Sequence, residues 1–289
     1  MRSVFFTGLA LLLLAIQLLA AVNARTVIFA LPYDNRDVMQ DYHVQLLQKA
    51  LSYSTTPYIL QPAKETMAQS RVLREISQHT GIVDVFWSMT SVDREKMLKP
   101  VRVPLSRGLL GWRLLLVNEN APFLSTPRTK QNTLFVQGHD WPDSQILKAN
   151  GYKIHTANDY HSMFTMVEKG RVNALPRSVI EIADEHKNIA AKLFIAPDLM
   201  LYYPTAEYFF VSNSDTNLAA AIEYGLIEMY KDGSFNALFE QRYGTILTQL
   251  AQQKRKVLKL QNPLLPTATP LDKPEYWQPL PGHFEQINW

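Results

Sequence analysis

Strand-like and helix-like segments alternate along the first third of the chain, and this alternation restricts the fold more than any other feature. Residues 26–31 are β-branched and apolar, as in a strand, and residues 35–51 carry apolar side chains at helical spacing. Further strands are predicted at 58–60 and 82–87, with a helix over 64–77 between them. A β-α-β-α-β succession predicts a mainly parallel sheet covered by helices.

A second unit of the same kind follows a proline-containing loop at 119–131. The apolar strand 112–117 leads towards it, and two apolar strands at 199–203 and 208–211 lead back. Two helices come next, the second predicted to be short and to end near Gly244. The sequence therefore predicts an α/β fold of two lobes joined by two crossings. Within the second unit, strands are predicted at 133–137, 152–156 and 172–175. A first helix is predicted to end near residue 150, a second to begin after the cap Asn158, and a third to cover 179–186.

These segments give a division of the chain into a leader, two lobes and a tail. The tail is rich in proline and contains three spaced aromatic residues, so we expect it to pack on the surface of the protein rather than to form a helix. The predicted ranges are 1–24 for the leader, 25–115 and 205–261 for a discontinuous first lobe, 116–204 for the second lobe and 262–289 for the tail.

The N-terminus has the pattern of a secretory signal peptide. Arg2 precedes an apolar run at 9–19, and Val22-Asn23-Ala24 provides small residues for cleavage, so the mature chain is expected to begin near Arg25. A membrane anchor is the alternative, but the apolar run is shorter than the roughly 20 residues that span a bilayer. We expect export of a mature protein that is soluble outside the cytoplasm, without direct membrane insertion.

Composition argues against several classes of function. The chain contains no cysteine, so disulfides cannot stabilise it, and its net charge of +3 comes without a basic block of the kind that binds nucleic acid. The seven histidines form no metal-binding pair, and nucleophile or phosphate-binding motifs are missing. We therefore expect no metal, no cofactor and no enzymatic activity.

The stretch from Gly81 to Asn118 has the features of half a binding cleft. A buried strand ends in a polar turn that carries Ser88, Thr90 and Arg94, and an apolar strand then leaves the neighbourhood. Hydroxyl groups and an arginine at a strand end, followed by a crossing, are typical of a ligand site beside a hinge.

Four segments resemble one family. VDVFWSMTSVDREKMLKPVRVPLSRGLLGWRLLLV, TLFVQGHDWPDSQIL, GRVNALPRS and LAAAIEYGLIEMYKDGSFNALFEQRYG are similar to type II periplasmic solute-binding proteins, in particular the polar amino-acid binders of ABC importers, bacterial extracellular solute-binding family 3. The likeness covers most of residues 26–245. It implies a monomer that captures a small polar ligand between its lobes and delivers it to a membrane permease. The alternative is a protein that reports ligand occupancy to a membrane sensor kinase or cyclase.

The resemblance assigns a role to Arg94. In ligand-binding members of the family, an arginine after the threonine turn binds the ligand carboxylate, and Thr90 or Ser88 would add a hydroxyl. The spacing from Thr90 to Arg94 is one residue tighter than the usual motif. The alternative is a solvated arginine at a helix start.

The second half of the motif departs from the family. Many members have an aspartate after the Gly-Arg-Val-Asp-Ala strand that binds the ligand ammonium, and here Ser178 occupies that place. Arg177 beside it favours an anionic or hydroxyl-rich ligand, or else it pairs with Glu181 four residues later. These residues argue against an ordinary α-amino acid.

The turn from Gly138 to Asp143 is predicted to open a helix at the floor of the cleft. Asp140 and Asp143 have the spacing of a helix cap and its reciprocal acid, which would occupy the free N–H groups. His139 and Trp141 are candidates for stacking on the ligand or hydrogen bonding to it.

Four residues of the first lobe complete the candidate set. Tyr33 and Trp87 are aromatic candidates, although a single aromatic residue is more often part of the core. Arg107 and, as a lesser candidate, Arg113 flank a pair of glycines near the hinge, where each reaches an anion in the cleft or a surface carboxylate.

Overall fold

The computed structural model describes residues 24–31, 40–119 and 129–280, and the backbone of residues 283–287. The candidate Tyr33, the predicted leader up to residue 23 and most of the predicted loop at 119–131 lie outside the described residues. None of the helices in the described ranges has both the length and the apolar character required to cross a membrane.

Twelve strands and eight α-helices are found in these ranges. In chain order they are β1 (Arg25–Leu31), α1 (Gln40–Leu51), β2 (Tyr58–Thr66), α2 (Gln69–Ser77), β3 (Val85–Met89), α3 (Val92–Met97), β4 (Lys99–Val101), β5 (Trp112–Val117), β6 (Leu134–Gly138), α4 (Pro142–Ala149), β7 (Lys153–Ala157), α5 (Tyr160–Glu168), β8 (Ala174–Ser178), α6 (Ile182–Asn188), β9 (Phe194–Tyr202), β10 (Glu207–Val211), α7 (Thr216–Lys231), α8 (Ser234–Ala251), β11 (Lys254–Lys259) and β12 (His283–Ile287).

The strands form two sheets, as the alternation predicts. The smaller sheet has the order β2-β1-β3-β10-β4, and the larger has the order β12-β11-β9-β5-β8-β6-β7. In the smaller sheet β10 is antiparallel to both neighbours, and in the larger sheet β5 is. All remaining pairs are parallel. Each sheet with its helices is called a lobe below, lobe 1 for the smaller sheet and lobe 2 for the larger.

The two antiparallel strands are the ones at which the chain arrives after changing sheets. Residues 102–111 carry the chain from β4 to β5, and residues 203–206 carry it back from β9 to β10. Because the other strands of each sheet share one direction, their carboxyl ends form one edge per sheet. These edges face the crossings, which confirms the predicted α/β fold with a mainly parallel sheet in each lobe.

The C-terminal segment adds a connection that the sequence did not indicate. Strand β11 pairs with β9 in the larger sheet, and β12 pairs with β11. Between these strands the chain lies on lobe 1, where the Leu264 carbonyl accepts a hydrogen bond from Val92 N at 2.9 Å. The Tyr276 ring lies 5.1 Å from the Tyr230 ring on α7.

The same segment contacts both crossings. Asn262 Nδ2 donates to the Pro204 carbonyl at 2.9 Å, and Gln278 N donates to the Arg107 carbonyl at 2.8 Å. Gly108 has a φ of 78°, and a Cβ on it would lie 2.5 Å from the Trp277 ring. The residues that carry the chain between the sheets are therefore covered by its own C-terminal part.

Some predicted boundaries are wrong. The helix predicted from residue 64 begins at Gln69, because β2 continues to Thr66 in parallel pairing with β1. The helix predicted to end near Gly244 continues to Ala251, since buried residues at 247 and 250 extend its apolar face. Asp159, rather than Asn158, caps α5, and its side chain accepts a hydrogen bond from Ser162 N at 2.7 Å.

The predicted division at residue 261 also needs a correction. It places residues 254–261 in lobe 1, but β11 extends the larger sheet beside β9. The segment has three lysines and one arginine among its eight residues, so its composition did not indicate a strand. Pairing with β9 buries Val257 and Leu258 and determines its position.

Helices α1 and α7 pack at a distance that only glycine permits. A Cβ on Gly225 of α7 would lie 1.9 Å from the Ala50 carbonyl oxygen at the end of α1. Both contacting groups are backbone, so neither can move aside without shifting a helix.

We predict that Gly225→Ala destabilises the protein by about 1–3 kcal/mol through overpacking, despite the better helix propensity of alanine. The matched control is Gly244→Ala on α8, where only the flexible Glu240 side chain approaches the added methyl. This control should be neutral or stabilising by up to about 1 kcal/mol. Thermal unfolding of both variants measures the difference, and equal melting temperatures would contradict the close packing.

Candidate functional site

A cavity of about 530 Å³ lies between the lobes, at the carboxyl edges of the two sheets. It is lined by the last residues of four parallel strands, Leu31, Met89, Gly138 and Ala157. This edge is where α/β sheets bind ligands, and the volume is in the range of small-molecule sites.

Arg94 reaches the cavity from α3 and is buried. Its Nη1 donates hydrogen bonds to Ser88 Oγ and to the Met89 carbonyl, the latter at 2.8 Å. Its Nη2 donates to Gln69 Oε1 and to the Asp140 carbonyl, the latter at 3.0 Å. All four acceptors are uncharged.

The charge of Arg94 therefore lacks a direct ionic partner. No carboxylate of the described residues lies within 4.0 Å of its guanidinium nitrogens. Burial lowers the pKa of Arg94 to about 10, although Asp140 and Asp143 nearby act in the opposite direction. The side chain is still cationic at neutral pH, in a place where an unpaired charge is costly.

Arg177, on the opposite wall, differs from Arg94 because it has ionic partners. It is buried and donates to both oxygens of Glu185, from Nη2 to Oε1 at 2.6 Å and from Nε to Oε2 at 2.8 Å. Its Nη2 also lies 3.0 Å from Glu181 Oε1. Burial alone would lower the pKa of Arg177, but the two glutamates outweigh it and raise the pKa well above its ordinary value. The pairing with Glu181 that the sequence left open is present, with Glu185 added.

Two aromatic residues complete this wall. The Arg177 guanidinium lies 4.7 Å from the centre of the Trp141 ring, a cation–π distance. The Tyr160 hydroxyl donates to Glu185 Oε1, and burial together with Glu185 raises the pKa of Tyr160. Trp141 and Tyr160 both line the cavity.

The acids at the start of α4 do not have the predicted capping roles. Trp141 occupies the N-cap position, and its side chain makes no capping hydrogen bond. Asp143 is buried and lies 2.7 Å from Arg113 Nη2, and it accepts a hydrogen bond from the Tyr203 hydroxyl. Arg113 therefore supports the cavity wall from behind through Asp143, which itself lines the cavity.

Asp140 connects the two lobes across the cavity. Its Oδ2 accepts a hydrogen bond from Ser70 N on α2 at 3.1 Å, and its carbonyl accepts from Arg94. The described structure is thus one in which the lobes are in contact beside the site.

The lobe 1 wall is built around Trp87. The His43 ring stacks on it with centroids 5.0 Å apart and an interplanar angle of 12°. His43 Nε2 lies 3.0 Å from Glu207 Oε2, so the imidazole N–H donates to the carboxylate. All three side chains line the cavity, which places an acid on this wall as well.

Six of the predicted site residues line the cavity: Trp87, Ser88, Arg94, His139, Trp141 and Arg177. Three others do not. The Thr90 hydroxyl points away and donates to Glu95 at 2.7 Å, and the Ser178 hydroxyl donates to the Leu109 carbonyl at 3.2 Å. Arg107 holds the C-terminal segment through the Glu275 carbonyl at 3.2 Å.

Several cavity residues were not identified as site residues from the sequence. Glu181, the N-cap residue of α6, and Glu185 within that helix are four residues apart and follow Arg177, a spacing that could have indicated a shared site. His43 and Glu207 are 164 residues apart and gave no such signal. In the described ranges, no three histidine, aspartate or glutamate side chains are grouped as a metal site would require.

Comparison with solved structures identifies the fold. An ancestral arginine-binding protein bound to arginine matches 77% of this chain and 100% of its own, with 15% identity and a TM-score of 0.58. A putative L-cystine ABC transporter from Listeria monocytogenes matches 77% and 96%, with 20% identity and a TM-score of 0.55. A periplasmic His/Glu/Gln/Arg/opine family-binding protein from Silicibacter pomeroyi in complex with lysine matches 76% and 97%, with 10% identity and a TM-score of 0.56.

These structures share the two-lobed fold of type II periplasmic binding proteins with this chain, which confirms the fold that the sequence resemblance implies. No protein-family model and no curated protein sequence matches the chain. At identities of 10–20%, the likeness establishes the fold only. The chemistry of a ligand has to be inferred from the residues that line the cavity.

We predict that Arg177→Met destabilises the protein by roughly 3–5 kcal/mol at pH 7.5, because Glu185 is left buried without its cation while Glu181 keeps its contact with Arg113. Burial already raises the pKa of Glu181, and loss of Arg177, whose charge lowers that pKa, should raise it further. Carboxyl groups whose folded pKa is raised lower the stability as pH rises above their unfolded pKa, so the variant should regain stability towards pH 5.

Denaturant unfolding at pH 5 and 7.5 measures this effect. Lys192→Met, which removes an exposed contact with Glu168, is the control and should change stability by less than about 1 kcal/mol. Adding Glu185→Gln to Arg177→Met should recover part of the loss. An equal loss at both pH values would show that Arg177 acts through packing alone.

Proposed function

We propose that this protein captures a small solute that carries a carboxylate, binding it between the lobes with Arg94 as the carboxylate-binding residue. The ligand would be held without chemical change and delivered to an ABC permease in the membrane. The protein would act as a monomer in the periplasm, where the predicted leader directs it.

The observation that carries this proposal is the contrast between the two arginines of the cavity. Arg177 is neutralised by two carboxylates, whereas Arg94 contacts only uncharged acceptors. A ligand carboxylate beside Arg94 would provide the ionic partner that the described part of the chain does not, and a guanidinium binds a carboxylate through two parallel hydrogen bonds.

The solved structures support capture of an amino-acid-like solute. The three described above are an arginine-binding protein, a putative cystine transporter component and a protein bound to lysine. Such proteins close around a ligand because only the closed state offers both half-sites. Asp140 already joins the lobes beside Arg94, so a bound ligand would add to an existing contact.

The preference for an anion that Arg177 suggested in the sequence has weaker support. Glu181 and Glu185 take up its charge, and the group formed by Arg113, Arg177, Asp143, Glu181 and Glu185 contains two cations and three acids. The carboxylate specificity therefore depends on Arg94 alone, and the lobe 2 wall does not require a second negative group on the ligand.

We expect a thermal-shift screen of amino acids, dicarboxylates, sugar acids and short peptides to find ligands that raise the melting temperature. Arg94→Gln should then weaken binding of each carboxylate ligand by roughly 10- to 150-fold in calorimetry, as for the loss of a charged hydrogen bond of roughly 1.5–3 kcal/mol.

The matched control is Arg102→Gln. Arg102 pairs with Glu95 and does not line the cavity. This variant should leave the affinity unchanged. If no carboxylate binds, or if both variants bind the ligand equally well, the proposed function is wrong.

A further inference from the structure

Glu207 lines the cavity, and its two carboxylate oxygens differ in their hydrogen bonds to the described residues. One oxygen, Oε2, accepts from His43 at 3.0 Å, and no described residue donates to the other, Oε1. The side chain is only 7% exposed and lines the cavity. A buried carboxylate normally satisfies its acceptors, so a free one at a cavity wall indicates a partner supplied from the cavity.

The position of this carboxylate is rigidly determined. Glu207 begins β10 and is paired with Met89 of β3, and its carbonyl accepts from Leu105 N at 3.0 Å. His43, which holds Oε2, is fully buried and stacked on Trp87. The carboxylate is therefore held in place by strand β10, by His43 on helix α1 and by the stacking of His43 on Trp87.

Arg94 and Glu207 both neighbour Met89, the last residue of β3. The Met89 carbonyl accepts from Arg94 Nη1 at 2.8 Å, and Met89 is the cross-strand partner of Glu207. Since opposed Cα atoms in antiparallel strands are about 5 Å apart, the guanidinium and the Glu207 Cα are separated by at most roughly 10 Å. Both side chains line the same cavity of about 530 Å³, which is the size of a small-molecule site, so one small solute can lie between them.

We propose that Glu207, oriented by His43, is a specificity-determining residue that accepts a hydrogen bond from a second, donor group of the carboxylate ligand. This inference rests on the proposed function, because Arg94 places the carboxylate. The ligand would carry an ammonium or hydroxyl donor close to its carboxylate, and solutes with a carboxylate alone would be discriminated against because they leave Glu207 unpaired.

The test uses three sets of compounds with the same skeleton, measured by calorimetry with the full chain at pH 7.5. They are L-leucine, L-2-hydroxyisocaproate and 4-methylpentanoate; L-phenylalanine, L-phenyllactate and 3-phenylpropanoate; and L-glutamate, L-2-hydroxyglutarate and glutarate. In each set that binds, the members with a donor should bind at least about tenfold more tightly than the member without one.

Glu207→Gln should reduce that preference to within about threefold. The loss should be larger for the amine than for the hydroxy acid if the donor is an ammonium group, because a charge-assisted bond is the stronger one. Glu207→Asp, which withdraws the carboxylate by one methylene, serves the same purpose if the glutamine variant does not fold. Glu228→Gln on the surface of α7 is the control and should retain the full preference.

The outcomes separate the two proposals. Arg94-dependent binding in which compounds with and without a donor bind equally would overturn the role of Glu207 and leave the proposed function standing. A donor preference that survives in both Glu207 variants would also overturn it. If no carboxylate binds in these sets or in the wider screen, the proposed function and this inference both fail.

Discussion

The direction of the strands determines where the cavity between the two lobes lies. The strands of each sheet are parallel except for the one at which the chain arrives from the other lobe, β5 or β10. The carboxyl edges of both sheets therefore meet at the crossings, and polar side chains at those strand ends are brought to one place. Reversing either arrival strand would move half of the cavity to the far edge of its sheet.

The cavity contains two buried arginines whose surroundings have opposite consequences. Around Arg177, two glutamates offset the cost of burial, and the cluster extends through Glu181 to Arg113 and Asp143. Around Arg94, the hydrogen-bond acceptors among the described residues are all neutral oxygens, and burial lowers its pKa. The charge of Arg177 is thus balanced by acids of the protein. The charge of Arg94 is not balanced by a directly bonded acid of the described residues, and it lies at the cavity wall.

The C-terminal segment explains why one predicted site residue has a different role. Arg107 has a left-handed φ of 48° and lies beside Gly108 in the first crossing. The Arg107 carbonyl accepts a hydrogen bond from Gln278 N, and the guanidinium donates one to the Glu275 carbonyl. The neighbouring Gly108 packs against the Trp277 ring. The arginine thus joins the crossing to a proline-rich segment that has no counterpart in the sequence motifs, and it does not line the cavity.

The sequence by itself determined the fold class, the two crossings and much of one half of the site. Local periodicity is sufficient for this, because strand and helix patterns and the polar turn around Ser88 and Arg94 are properties of neighbouring residues. Only the tertiary structure decided the pairings of residues that are distant in the chain, since Arg113 meets Asp143, His43 meets Glu207 and β11 meets β9 across long separations. It also turned Thr90 and Ser178 away from the cavity, because a strand end fixes the position of a residue but packing chooses the direction of its side chain.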